Sequence, residues 1–186
     1  MKFWWQSSYD RGLDILLLLW PRILKEIPNA TLDICYGWDL FLRAYSGNPE
    51  RMMWKNQMDE KMKQKGITHH GRIGQSKMRD LRKTMDIWAY PTYFTEINCI
   101  GALECQHDGV VPCVINLAAL KETVGSGVKV DGDIYSPEVR EKYLKELLAL
   151  CKDKKRIEEE REKGKKFVKD YTWAKRAKEW TKYMEL

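Results

Sequence analysis

The chain reads as an α/β protein, a doubly wound parallel sheet of about six strands with a helical C-terminal extension. Three observations carry that reading. Short apolar runs alternate with longer helical runs up to Val130, the pattern of βαβ units and a parallel sheet. Beyond Pro137 strand patterns stop and helical ones take over. The length of 186 residues suits one domain, or one domain with an appendage.

The elements follow in order. Phe3-Trp-Trp-Gln6 is a first strand, and Ser7-Ser-Tyr-Asp10 a turn-type loop. Residues 13–27 form a strongly apolar helix that Pro28-Asn29 ends. Pro21 lies inside it and removes one backbone donor, which predicts a kink. Residues 31–36 alternate as a strand and stop at Gly37. A polar helix with Met52, Met53 and Met62 spans 49–65, a short strand 67–70 and a helix 75–85. Strands at 86–90, 110–115 and 127–130 are separated by helices at 98–107 and 117–124. An amphipathic helix covers 138–151. A charged helix at 153–169 carries i,i+4 pairs such as Lys154–Glu158 and Glu162–Lys166. A last helix, 172–184, lines up Trp173, Ala177, Trp180 and Met184 on one face, and such a face calls for a cover. The expected division is therefore a sheet domain, 1–151, and charged and amphipathic helices, 152–186, packed on it or on a partner.

Composition narrows the function. The most apolar stretch, 15–20, is far too short to span a bilayer. The N-terminus, Met-Lys-Phe-Trp-Trp-Gln, has no signal-peptide apolar region. Five cysteines occur, an odd number without a C-x-x-C pair, which points to reduced core thiols and a cytoplasmic location. The net charge of +6 is uneven: 152–186 holds 13 basic and 8 acidic residues, the rest 20 and 19. Basicity belongs to the tail rather than to a groove, and acids interleave it, which argues against nucleic acid.

The most informative motif is Glu96-Ile-Asn-Cys-Ile-Gly-Ala-Leu-Glu104, two glutamates with seven residues between them. It follows an apolar strand closed by Pro91. Ile97, Ile100 and Leu103 step by three, so a helix begins there. Glu96 falls in the strand-to-helix loop and Glu104 about two turns into the helix. In a doubly wound sheet that loop borders the ligand crevice, and a helix start offers free backbone N–H groups to an anion. Glu104 sits between apolar residues and needs a partner, which ribose hydroxyls would supply. The arrangement suits a ligand with phosphate in the middle and hydroxyls at both ends, as in a nucleotide sugar.

The glutamate pair resembles the donor motif of retaining GT-B glycosyltransferases of glycosyltransferase family four. Ser7-Ser-Tyr-Asp-Arg-Gly-Leu13, Tyr36-Gly-Trp-Asp39, His70-Gly-Arg-Ile-Gly-Gln75, Ala119-Leu-Lys-Glu-Thr-Val124 and Tyr171-Thr-Trp173 resemble successive segments of that family. The likeness covers almost the whole chain, and only as the family's C-terminal, Rossmann-like, nucleotide-sugar half. It implies a sugar transferase that retains anomeric configuration and needs no metal. By resemblance, Glu96 contacts the donor sugar and is the catalytic-site carboxylate, here assigned to positioning. Glu104 accepts from the ribose. The N–H groups of Asn98, Cys99 and Ile100 hold the diphosphate, and Arg11 neutralises it. Arg72 and Ile73 meet the base. Two positions depart from the family: Asn98-Cys99 stands where many members have Phe-Gly, and Trp5 where many have a second basic residue. The alternative is a non-catalytic nucleotide-sugar-binding module, or a subunit needing a separate acceptor domain.

Other motifs take ordinary readings. Asp131-Gly-Asp133 has a D-x-D form, but sits where an Asp-Gly turn is expected. His69-His70 and Cys105-x-His107 lack two further ligands nearby, so no zinc site is expected. Gly125-Ser-Gly127 lacks the residues of a phosphate loop. The apolar stripe on 172–184 has three candidate covers besides solvent: the sheet domain, an acceptor-domain protein or second copy, and an anionic membrane surface that Lys175, Arg176, Lys178 and Lys182 would meet.

Overall fold

A computed structural model describes residues 1–184; the last two positions of the expected 152–186 extension lie outside the described residues. The strands are β1 (Lys2–Trp5), β2 (Thr31–Cys35), β3 (Ile67–Gly71), β4 (Ile87–Tyr90), β5 (Val111–Ile115) and β6 (Val128–Val130). The helices are α1 (Leu13–Glu26), α2 (Asp39–Tyr45), α3 (Pro49–Lys61), α4 (Gln75–Arg82), α5 (Ile100–His107), α6 (Leu120–Thr123), α7 (Pro137–Lys152), α8 (Lys154–Val168) and α9 (Trp173–Tyr183). A short 3₁₀ turn, Tyr9–Arg11, precedes α1.

The six strands form one sheet in the order β3-β2-β1-β4-β5-β6, and every pairing is parallel. This is the expected α/β, doubly wound architecture. β1, β4 and β5 lie inside the sheet with helices over both faces, so β4, β5 and β1 after the exposed Lys2 are continuous apolar runs rather than alternations. Phe3, Trp4 and Trp5 are fully buried, as are all residues of β4 and β5. On one face Leu13, Leu16, Trp20 and Ile23 of α1 fill the core, with Trp20 edge-on to Phe3. α7 adds Tyr143, Leu144 and Leu147, and the Tyr143 hydroxyl donates to the Cys113 carbonyl at 2.8 Å. α8 packs against α5, α7 and β5. Gly164 of α8 has no side chain, and this lets the helix close onto Ser126 and Gln106.

Three local expectations need correction. A helix, α2, occupies 39–45, where none was expected; none of its residues is buried, so it carries no core-facing periodicity. α5 begins at Ile100, not at residue 98, so Glu104 lies about one turn into it. Ile97 is outside the helix and 96% exposed. The stripe on α9 is uncovered: Trp173 is 88% exposed, Trp180 64% and Met184 53%, and Ala177 is exposed too. Among the described residues no helix is long and apolar enough to cross a membrane.

Candidate functional site

The chain winds outward from β1 through β2 to β3, then returns to place β4 on the other side of β1. The loops leaving β1 and β4 therefore diverge, and a crevice opens at their carboxyl ends. Gly12 lets the two loops approach. Its φ of +109° is a left-handed conformation, and a Cβ there would lie 2.5 Å from the Pro91 carbonyl oxygen.

Across this crevice Arg11, from the β1 loop, meets Glu96, from the β4 loop. The guanidinium donates to Oε1 at 3.1 Å and Oε2 at 3.3 Å. Glu96 is 8% exposed, and Oε1 also accepts from the Tyr90 hydroxyl at 2.7 Å. Arg11 is one-third exposed and lies over the Phe94 ring, 4.0 Å from its centroid. Burial opposes the Arg11 charge, but the Glu96 carboxylate outweighs it and raises the guanidinium's pKa above its ordinary value. Burial, with the bond to Glu96 adding to it, pushes the Tyr90 phenol up, so it stays a neutral donor.

Next to this pair is the start of α5. The backbone N–H groups of Asn98, Cys99 and Ile100 have no acceptor among the described residues; Cys99 caps α5 and Ile100 opens it, where N–H groups lack intrahelical partners, and Asn98 lies just before the cap. Cys99 is buried, and burial pushes its thiol up to about 12. It is therefore protonated at neutral pH and no nucleophile. One turn on, Glu104 lines the cleft and is held from the protein side: Oε2 accepts from Arg82 at 3.0 Å and from Gln6 Nε2 at 3.1 Å. The partner that this carboxylate needs, expected from ribose hydroxyls, is supplied by the protein itself.

The crevice has two connected parts. A cleft of about 320 Å³ is lined by Arg11, Glu96, Asn98, Cys99, Ile100 and Glu104. A second, of about 220 Å³, is lined by Arg72 and Ile73 together with Gly37 and Leu40. Both share Gln6, Tyr36, Gln75 and Met78. All eight residues singled out in the sequence therefore line one continuous groove. Gln6, Tyr36, Tyr90 and Arg82 were not singled out. Gln6 and Tyr36 each end a strand pattern facing the crevice, and that position was the available signal. Trp5, at the departing position, is fully buried, and its indole N–H donates to the Ser7 carbonyl at 2.7 Å.

Asp131 accepts from the Asn116 amide and Asp133 from the Tyr135 backbone N–H. Among the described residues no group of three or more His, Cys, Asp or Glu side chains is placed to hold a metal ion.

No protein-family model matches the chain, and no curated protein matches it. Its fold has solved counterparts. A chain of the GtfA/B complex matches with a TM-score of 0.74 at 12% identity, over 99% of this chain and 35% of that one. Sucrose-phosphate synthase (tll1590) from Thermosynechococcus elongatus gives 0.77 at 17% identity, over 99% of this chain and 45% of that one. The C-terminal domain of LpcC, a glycosyl transferase group 1 family protein from Francisella tularensis, gives 0.67 at 17% identity, over 90% and 83%. The chain thus spans less than half the length of the first two. The likeness is one of fold, and the fold is that of a GT-B glycosyltransferase C-terminal domain.

Proposed function

We propose that the chain is the donor-binding domain of a retaining glycosyltransferase. It binds a nucleoside diphosphate sugar and, with an acceptor-side domain, transfers the sugar. The supporting observation is the convergence of Arg11, Glu96, the α5 start and Glu104 in one groove at the switch point, continuous with the Arg72–Ile73 cleft. In this reading the base lies against Arg72 and Ile73, and the ribose reaches Glu104. The diphosphate lies at the N–H groups of Asn98, Cys99 and Ile100, and the sugar reaches Glu96. Arg11, the more exposed member of its ion pair, turns toward the diphosphate. Transfer breaks the bond from the anomeric carbon to the diphosphate oxygen, whose electron pair leaves with the nucleotide. A bond to the acceptor hydroxyl oxygen forms on the same face, and the hydroxyl proton is released. Arg11 and the helix start stabilise the charge that grows on the leaving diphosphate. Binding requires no metal.

Calorimetric titration with UDP-, GDP- and ADP-sugars tests the reading, with and without EDTA. One series should bind, equally well in EDTA. Glu104→Ala should weaken it by about 1–3 kcal/mol, the range for hydrogen bonds to a charged group. No binding of any series, or no effect of Glu104→Ala, contradicts the reading. A loss in EDTA that Mg²⁺ restores moves attention to Asp131 and Asp133. The second reading, a binding module without catalysis, predicts binding with no turnover when the acceptor-side domain is supplied.

A further inference from the structure

One buried cation faces the groove from behind. Arg82, the last residue of α4, is 4% exposed. Its Nε donates to Asp108 Oδ2 at 2.8 Å, and its second terminal nitrogen lies 2.7 Å from the same oxygen. Its first terminal nitrogen donates to Gln6 Oε1 at 2.7 Å and to Glu104 Oε2 at 3.0 Å. Gln6 completes the set. Its amide nitrogen donates to Glu104 Oε2 at 3.1 Å and its oxygen accepts from the Trp4 indole N–H at 2.8 Å. Gly101 leaves room for this amide: a Cβ there would lie 3.0 Å from Gln6 Nε2.

The result is an asymmetric carboxylate. Oε2 of Glu104 receives two donors from the protein, while Oε1 receives none among the described residues. Two donors from different elements fix the orientation of the carboxylate plane. One guanidinium charge also faces two carboxylates. Asp108 is 2% exposed and also lies 3.0 Å from His107 Nδ1, while Glu104 is 36% exposed, so Glu104 is the carboxylate that faces the groove. An ionised carboxylate accepts and cannot donate. Oε1 therefore takes a donor from the groove, such as a hydroxyl, and no acceptor.

We propose that Arg82 is a positioning residue for ribose recognition: with Gln6 it clamps Oε2 of Glu104, so that Oε1 alone is presented to the vicinal hydroxyls of the nucleotide. This rests on the donor-binding reading and adds a residue that does not itself touch the ligand.

The test compares affinities for a nucleoside diphosphate and its 2′-deoxy counterpart in the wild type, Arg82→Gln and Gln6→Leu, with thermal melts of each. The wild type should favour the ribonucleotide about tenfold, the worth of one hydrogen bond to a charged group. In Arg82→Gln that ratio should fall toward one while the deoxynucleotide affinity holds. Gln6→Leu, which strands no buried cation, should lower the ratio part of the way and keeps the question open to test if Arg82→Gln does not fold. A ratio that stays at the wild-type value in the folded variants overturns the proposal and leaves the donor-binding reading standing. A wild type that binds no nucleotide overturns both.

Discussion

Gly12 and the buried thiols show what single residues contribute. A side chain at position 12 meets both a left-handed φ and the Pro91 carbonyl at 2.5 Å, so Gly12→Ala should cost roughly 1–3 kcal/mol. Urea unfolding checks this, and a change within about 0.5 kcal/mol, the scale of a neutral surface substitution, contradicts it. Burial pushes the thiols of Cys35, Cys99 and Cys151 from 9.0 up to about 12. Between those values the native state keeps protons that the unfolded chain has lost, so stability falls as pH rises. Urea midpoints should be steady up to about pH 9 and decline toward pH 12; a midpoint that holds across that window contradicts the burial of these thiols. At this scale legibility was uneven. Glu96 and Glu104 stand out because their spacing is a local pattern. Arg82 does not, because its partners Gln6, Glu104 and Asp108 lie 76, 22 and 26 positions away. Only the fold brings them together.

The elements were legible where burial imposed a pattern. β4 and β5 are apolar throughout, and β1 is apolar after Lys2, because the sheet is covered on both faces, and α1 repeats its core residues at helical spacing. α2 buries no residue, so Leu40, Phe41 and Leu42 follow one another without a core-facing period. The α5 start was misplaced because Ile97 extends the step of three while pointing to solvent. α9 gives the opposite lesson: its apolar stripe is real in the sequence, yet none of the described residues covers it. None of its residues is buried. A chain truncated after Tyr171 should therefore melt within a degree or two of the full chain, as expected for a loss below about 0.5 kcal/mol. A large fall in melting temperature shows that the stripe is covered in solution, and light scattering and liposome flotation then separate a second copy from an anionic membrane.

At the scale of the molecule the decisive feature is topology. A sheet ordered β3-β2-β1-β4-β5-β6 must open a crevice between the loops after β1 and β4, and those loops carry Arg11 and Glu96. The sequence carries the count and alternation of strands, hence a doubly wound sheet of about six, but the order of the strands is set by long-range pairing and comes from the structure alone. The most direct measurement is a two-dimensional amide NMR titration of the ¹⁵N-labelled chain with UDP, GDP and ADP. For at least one of them, the account predicts that the largest saturable shifts fall on the amides of Asn98, Cys99, Ile100 and Gly101, with smaller ones around Arg72 and Ile73. Shifts confined to other surfaces, or none at millimolar nucleotide, would contradict the account.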